Sequence, residues 1–295
     1  MFNHLVKIYN SGNLPNILLF SGKKGIGKCT FAYHFINYIF SLKEDHKYDL
    51  ENNIINSDNY SFNQVKNDTH LNLFNIYLKN EKKNIEISQV KEMINFTNKS
   101  TLNNINRVIL IDGVEFLNKS SVNALLKSIE EPNYDILFLL IHDSEKKIIP
   151  TLKSRSVNFK FNLTSDTMSE IVNFFYSENI CDNISEDFKY NFNSPAFYIN
   201  FYNFCNNNGI DFSKISIESF LIYVIENGLF KKDEFIKNEI KYFIEIFFKK
   251  KIKYLINYNQ QNYCYYFNKK FYLVNKFNLD LETYLMEFKE MMLNE

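Results

Sequence analysis

A glycine-rich turn near the amino terminus carries the residues best suited to chemistry. Residues 22–28, GKKGIGK, fit a phosphate-binding P-loop, with an apolar strand predicted before them and a helix after them. Glycines let the backbone turn tightly, so that successive N–H groups can face phosphate oxygens, while a lysine adds positive charge. The candidate nucleotide ligands are Gly22, Gly25, Gly27 and Lys28. The alternative is a glycine-rich turn that binds no nucleotide usefully.

The residue after the lysine departs from the P-loop pattern. A hydroxyl is expected there because Mg²⁺ prefers oxygen ligands, but the chain has Cys29, whose thiol is a poor ligand for this ion. Thr30 could substitute, although one step along a helix turns its side chain by about 100°. We therefore expect no dedicated metal site, and a weakened capacity for metal-assisted chemistry.

Further candidates follow an apolar strand predicted at 107–112. Asp112 ends this strand, where P-loop hydrolases hold Mg²⁺ through an acid. The next position should supply a glutamate that orients the attacking water, but it is Gly113. Glu115 lies close in sequence, and we expect its side chain to point elsewhere. The pattern predicts a degenerate nucleotide site, which holds ATP or ADP weakly without turnover or requires neither.

The elements that position these residues alternate between strands and helices. Short apolar runs predict strands at 16–21, 71–78, 107–112, 136–141 and 157–161. A first helix is predicted at 28–42. A second begins at Ile87 with Ser88 as its N-cap, and a third contains Val122 and is stopped by Pro132. The polar stretch 43–69 is predicted to be a loop or irregular insertion. This alternation predicts an α/β domain with a doubly wound parallel sheet over residues 1–163.

After residue 163 the pattern is helical. We predict two small all-α domains, at 164–208 and 209–295. Phe and Tyr at helical spacing over 218–267 indicate a bundle core or subunit contacts. The lysines at 249, 250, 251 and 253 are interpreted as a solvated helix face, with contact to DNA or a partner as the alternative.

Composition narrows the function classes. Lys plus Arg equals Asp plus Glu at 34 each, which argues against a free-standing nucleic-acid binder held by phosphate contacts. The four cysteines, which include Cys181, form no CxxC pair, so a reducing, cytoplasmic location is expected. No run reaches the roughly 18 apolar residues of a membrane span, and a soluble protein is expected.

Two further stretches give the sequence a family resemblance. NALLKSIEEP at 123–132 and PTLKSRS at 150–156 resemble motifs of bacterial clamp-loader subunits of the AAA+ class. Together with Gly25–Lys28, His70 and residues 85–90, they occur in the family's order over residues 12–162. The resemblance implies a RecA-like AAA+ P-loop domain, a helical lid at 164–208 and a collar at 209–295 that holds the assembly together.

Cys29 and Gly113 depart from the motifs of an active ATP site, and this distinguishes between the two kinds of subunit in the family. Its gamma and tau subunits hydrolyse ATP, whereas delta prime is a stator of DNA polymerase III with little or no ATPase activity. The resemblance therefore implies a delta prime-like subunit. Its partners would be gamma or tau, delta, the sliding clamp and primer-template DNA. The zinc module of some members is expected to be absent, because residues 43–70 contain no cysteine.

Arginine is scarce, and its two positions are informative. The resemblance implies that Arg155 acts as an arginine finger on a neighbour's γ-phosphate, and the alternative is a surface ion pair. Arg107 is expected to cap a strand start or to pair with an acid. Residues 164–208 contain no arginine, so the lid lacks the family's sensor-2 residue. His142 and Asp143 fall at the sensor-1 position, where His142 could equally be a packing residue.

Three rival functions remain open at this point. In an active gamma- or tau-like ATPase, Thr30 or Cys29 would have to serve as the Mg²⁺ ligand, and Glu115 would have to orient the attacking water. A small-molecule kinase or other P-loop transferase would need a substrate pocket that the sequence does not signal. A purely structural helical adaptor would leave the ordered motifs of residues 12–162 unexplained.

Overall fold

The computed structural model describes residues 1–79, 82–98, 106–130, 136–176, 184–189, 191, 194–254 and 258–293. The chain divides into two compact units, Met1–Leu163 and Thr164–Glu295. The first unit contains a sheet flanked by helices, and the elements described in the second unit are all helices. Within the described ranges, no helix is both long enough and apolar enough to cross a bilayer.

Five parallel strands form the sheet of the first unit. The strands are β1 (Ile17–Gly22), β2 (Leu73–Tyr77), β3 (Arg107–Asp112), β4 (Ile136–Asp143) and β5 (Val157–Lys160). Their order is β2-β3-β4-β1-β5, and every neighbouring pair is parallel. The helices are α1 (Phe2–Asn10), α2 (Lys28–Ser41), α3 (Tyr60–Lys66), α4 (Ile87–Thr97), α5 (Lys119–Glu130) and α6 (Pro150–Ser154), with a 3₁₀ turn at Val114–Phe116. The predicted α/β class and its parallel sheet are confirmed.

Both faces of the sheet are buried, which explains why its central strands are apolar without alternation. In β1, Leu18 and Phe20 pack with Phe35 of α2 in one hydrophobic cluster. Leu19 belongs to the opposite cluster, which includes Leu125 of α5. The two clusters fix the sheet between helical layers and hold the carboxyl ends of β1, β3 and β4 in register.

Two local predictions in this unit are wrong. Residues 43–69 contain α3, which begins after Asn59, whose side chain accepts a hydrogen bond from the Phe62 N–H at 2.6 Å. The Glu44 carboxylate also accepts hydrogen bonds from the Tyr60 and Ser61 N–H groups at 3.0 and 3.1 Å. Polar side chains thus start this short helix, and no apolar periodicity signals it. The N-cap of α4 is Glu86 rather than Ser88, and the Gln89 side chain accepts from the Glu86 N–H at 3.2 Å. The predicted stop at Pro132 lies outside the described residues.

Arg107 lies at the start of β3, next to the end of α4. Its side chain is buried and donates from Nη1 to the Phe96 carbonyl at 2.7 Å, while its guanidinium lies 5.0 Å from the Phe96 ring centroid. It therefore satisfies carbonyls of the last turn of α4, where a cation is favoured by the helix dipole. Arg107 ties α4 to the start of β3 and leaves Arg155 as the exposed arginine of the chain.

The second unit is a helical bundle rich in phenylalanine. Its helices are α7 (Ser165–Tyr176), α8 (Glu186–Lys189), α9 (Pro195–Asn207), α10 (Ile217–Glu226), α11 (Leu229–Lys232), α12 (Glu234–Tyr254), α13 (Tyr258–Phe277) and α14 (Leu281–Leu293). One buried cluster extends from Val172 to Phe288 and includes residues on both sides of position 208. Phe220 of α10 and Phe243, Phe247 and Phe248 of α12 belong to this bundle core. The division of this region into lid and collar domains at 208 stays a prediction.

The lysine run on α12 is only partly a solvated face. The Lys250 ammonium lies 2.7 Å from Asp187 and 2.9 Å from Glu218, so it joins α12 to α8 and α10. These ion pairs raise the pKa of Lys250 against the opposing effect of burial. The prediction of a solvated face is wrong for Lys250. The side chain of Lys253 lies outside the described residues.

Candidate functional site

The P-loop occupies the turn from β1 to α2. Gly25 and Gly27 have positive φ angles of 80° and 89°, a conformation that favours glycine. At Gly22 an added Cβ would lie 2.5 Å from the Ile26 side chain and 2.6 Å from the Phe161 carbonyl. The loop therefore needs glycine for its turn at two positions and for close backbone approach at a third.

Lys28 is folded back onto its own loop. Its buried ammonium donates to the Gly22 carbonyl at 2.7 Å and to the Lys23 carbonyl at 2.6 Å. Burial lowers its pKa, and the nearby carboxylates of Asp143, Glu115 and Asp112 oppose that shift. Two of the three donors of this ammonium are directed at the loop, which leaves one for a phosphate oxygen.

Cys29 lies near Asp112, at the position where a metal ligand is expected in a P-loop hydrolase. Burial is the largest cause that raises the pKa of Cys29 to about 12, and the negative charge of the Asp112 carboxylate acts in the same direction. The thiol therefore stays protonated and does not present a thiolate. Thr30 is exposed on α2.

The raised pKa of Cys29 makes the reactivity of its thiol a test of the effect of Asp112. Because the thiolate is the reactive form, we expect iodoacetamide at pH 8 to label native Cys29 about 10³-fold more slowly than an ordinary thiol. Timed labelling followed by peptide mass spectrometry measures the rate. Unfolding in urea should restore the ordinary rate, and Asp112→Asn should accelerate labelling of the folded chain. Equal rates in the folded wild-type and Asp112→Asn chains would show that the carboxylate does not act on the thiol.

Gly113 redirects the chain after β3. It has φ 83° and ψ 56°, and its N–H donates to the Ile141 carbonyl at 3.1 Å. An added Cβ would lie 2.7 Å from the Phe116 ring. A glutamate at this position would therefore meet both an unfavourable φ and a steric clash, so the missing catalytic glutamate cannot be restored by one substitution without local rearrangement.

Glu115 does not point away from the site, and our expectation for it was wrong. The left-handed turn at Gly113 brings the 3₁₀ turn back toward β4, so that Glu115 accepts a hydrogen bond from the Asp143 N–H at 3.3 Å. Its charge acts on Lys28 together with that of Asp143. This gathering of three carboxylates near the loop lysine is not apparent from the sequence, since it depends on a backbone reversal.

His142 at the end of β4 is held by contacts at both ring nitrogens. Nδ1 lies 3.1 Å from the Ser21 hydroxyl, and Nε2 lies 3.1 Å from the Lys146 carbonyl. A carbonyl can only accept, so Nε2 carries a hydrogen and, in the neutral ring, Ser21 donates to Nδ1. His142 is buried. His142 is paired with Ser21 in the sheet register, so its side chain joins β1 to the loop that follows β4.

Arg155 is exposed at the end of α6. Its Nη2 lies 2.8 Å from the Glu130 carboxylate, and its Nη1 donates to the Thr151 carbonyl at 3.2 Å. The side chains of Arg155 and Glu130 are 41% and 51% exposed, so the guanidinium is accessible from solvent. Among the described residues, its polar partners belong to α5 and α6 rather than to the P-loop. Glu130 was not among the predicted site residues, although it lies in the NALLKSIEEP motif.

The fold and the loop together define the class. A P-loop between β1 and α2, an acid at the end of β3 and the strand order β5-β1-β4-β3-β2 are those of a RecA-like AAA+ domain, here accompanied by a helical unit. The family described as "DNA polymerase III, delta subunit" matches residues 1–165, which is more than half of the chain. The chain belongs to this family of clamp-loader subunits, as the sequence resemblance predicted.

Individual relatives come from both branches of the clamp loader. A DNA polymerase III subunit delta′ of Pseudomonas aeruginosa is 35% identical over 89 residues, which cover 30% of this chain and 27% of that relative. A DNA polymerase III subunit gamma of Buchnera aphidicola subsp. Schizaphis graminum is 44% identical over 68 residues, which cover 23% and 18%. The matched segments thus span less than a third of each relative.

A solved structure shows the same fold along almost the whole chain. The crystal structure of a DNA polymerase III gamma subunit-related protein from Thermotoga maritima superposes with a TM-score of 0.50. The alignment covers 98% of both chains at 13% sequence identity. The likeness therefore concerns architecture alone.

Proposed function

We propose that this chain is a non-motor, delta prime-like subunit of a clamp loader that supplies Arg155 to the nucleotide site of a neighbouring ATPase subunit. Its partners would be gamma or tau and delta, and the assembly would load a sliding clamp on primed DNA. The observation that carries the proposal is the protonated Cys29 thiol near Asp112. This thiol stands at the place where Mg²⁺ would require an oxygen ligand beside the carboxylate.

The residues of the loop suit phosphate better than they suit magnesium. Glycine N–H groups and the start of α2 offer donors to an anion, and Lys28 adds a charge. Mg²⁺ would find only a thiol at position 29, and Gly113 supplies no side chain to orient water. A nucleotide could therefore rest in the loop without hydrolysis, and none is required for the proposed role.

Arg155 is suited to act on a neighbouring subunit, because it is exposed and its ion pair with Glu130 is weak. An exposed ion pair such as Arg155–Glu130 contributes only about 0–1 kcal/mol. A triphosphate on a neighbouring subunit presents several negative charges, so it can draw the guanidinium from Glu130. The planar fork of an arginine can then bind two phosphoryl oxygens and stabilise the charge that develops during transfer.

A second function, that of an active gamma- or tau-like ATPase, is favoured by one observation. Glu115 lies close enough to influence Lys28 and accepts a hydrogen bond from the backbone at the end of β4. It could serve as a base if nucleotide binding shifted the 3₁₀ turn. The two functions differ in what the isolated chain does with ATP.

Steady-state ATP hydrolysis by the isolated full chain separates these functions. We expect the wild-type rate to equal that of the Lys28→Ala variant, since neither protein holds Mg²⁺ correctly. A matched control is Lys24→Ala, which removes an exposed lysine of the same loop. Turnover that Lys28→Ala abolishes and Lys24→Ala preserves would establish an active ATPase and end the non-motor proposal.

A further inference from the structure

The second unit contains a long stretch of positive charge. From residue 246 to residue 279, 34 positions, the sequence contains no Asp or Glu. The lysines of this stretch are Lys249, Lys250, Lys251, Lys253, Lys269, Lys270 and Lys276. The chain as a whole has equal numbers of acidic and basic residues, so charge is segregated rather than uniform. Lys250 and Lys270 are paired with carboxylates of other helices, but the segment keeps an excess of positive charge, which attracts anions.

Four side chains of α13 form an exposed stripe of alternating tyrosine and lysine. The α13 stripe comprises Tyr265, Lys269, Tyr272 and Lys276, whose spacings of four, three and four residues place them on one helix face. The two tyrosines are 69% and 60% exposed. Lys269 lies 5.9 Å from the Tyr265 ring centroid, and Lys276 lies 5.6 Å from that of Tyr272.

Side chains on the neighbouring face of α13 contact other helices of the bundle, whereas the tyrosines of the stripe are exposed. Tyr266 donates to Glu287 of α14 at 2.7 Å, and Lys270 pairs with the same carboxylate. Phe267 and Phe271 are buried in the bundle core. Within the part of the chain that the structure describes, Lys269 and Lys276 contact aromatic rings of α13 itself and form no ion pair.

A cleft between α12 and α13 adjoins the stripe at Tyr272. Its volume is 510 Å³, and its lining includes Lys241, Lys249, Phe248, Asn268 and Tyr272. Glu245, which also lines the cleft, is paired with Lys241 at 3.3 Å. The cleft thus offers aromatic surface, an amide and one cation beyond the internal ion pair, which suits a flat, polar ring attached to an anion.

We propose that the α13 stripe and the adjoining cleft bind single-stranded nucleic acid. Unpaired bases would stack on Tyr265 and Tyr272, and Lys269 and Lys276 would contact the phosphates between them. At 1.5 Å rise per residue, the stripe extends about 16 Å, which is enough for a few nucleotides. A protein partner is the less favoured occupant, because lysine is depleted from the centres of protein interfaces.

None of the residues that form the stripe and the cleft belongs to the P-loop or contacts Arg155 among the interactions described above. The two proposals therefore fail separately, since loss of oligonucleotide binding says nothing about ATP turnover on a neighbour.

The test is fluorescence anisotropy of the full chain with a labelled oligothymidylate of about 20 nucleotides, over a range of salt concentrations. Tyr265→Ala with Tyr272→Ala should weaken binding roughly 30-fold or more, while phenylalanine at both positions should preserve it. Lys269→Gln with Lys276→Gln should reduce the slope of log affinity against log salt by about 1.4. The duplex form of the same sequence should bind more weakly, because its bases cannot stack on the tyrosines.

Matched controls use exposed residues outside the stripe. Tyr60→Ala and Lys214→Gln remove an exposed tyrosine and an exposed lysine, and should leave binding unchanged. The proposal is overturned if the wild-type chain does not bind the oligonucleotide, if the controls weaken binding as much as the stripe variants, or if the duplex binds equally well. It is also overturned if the stripe variants bind DNA normally but fail to assemble with gamma or tau, which would identify the stripe as a subunit interface.

Discussion

Replacing Arg155 by alanine is expected to reduce ATP turnover at the neighbouring subunit's site by about 10³-fold or more. The guanidinium would stabilise charge on the transferring phosphoryl group, and a methyl group cannot replace it. The measurement is DNA-stimulated steady-state hydrolysis by a reconstituted clamp loader. The P-loop lysine should be replaced in every ATPase subunit except the one that faces this chain, so that a single site reports the effect.

Two control variants distinguish a finger from a surface ion pair. Glu130→Gln removes the intramolecular partner of Arg155 and should leave turnover intact, because the guanidinium remains available. Arg155→Lys keeps the charge but loses the planar fork, so it should recover only part of the rate. If Arg155→Ala left turnover unchanged in a fully assembled complex, Arg155 would be no more than the surface partner of Glu130.

The sheet and its P-loop could be predicted because their signals are local. Four to eight consecutive apolar residues identify a strand that is buried on both faces, and glycines after such a strand identify a turn with positive φ angles. All five predicted strands occur, with ends that differ by at most two residues. The substitutions at Cys29 and Gly113 are also visible directly, since each changes the chemistry of a position that the motif defines.

The side-chain partners could not be predicted, because they depend on distant elements. Lys250 pairs with Asp187 and Glu218, which precede it by 63 and 32 positions. Glu115 reaches β4 only because Gly113 adopts a left-handed conformation, and the sequence gives no sign of that angle beyond the glycine itself. In the same way, Arg107 binds carbonyls of α4, since β3 begins beside the end of that helix.

The domain division at 208 depends on whether the bundle core is one cooperative structure. Phe243 of α12 lies within 6.3 Å, centroid to centroid, of five other phenylalanine rings. Three of these, Phe188, Phe197 and Phe201, belong to the predicted lid, and Phe220 and Phe235 to the predicted collar. A residue that joins both sets should couple the stability of the two regions.

Phe243→Ala is therefore expected to lower the free energy of unfolding of the second unit by about 3–5 kcal/mol, because it leaves a large cavity among rings that cannot close it. Hydrogen exchange of the full chain should show loss of protection in both α9 and α12. The matched control Phe277→Ala removes a ring that is 60% exposed and should change stability by under about 0.5 kcal/mol. If α9 kept its protection while α12 lost it, the lid and collar would unfold independently. The shared phenylalanine cluster would then be a contact between two domains rather than a single core.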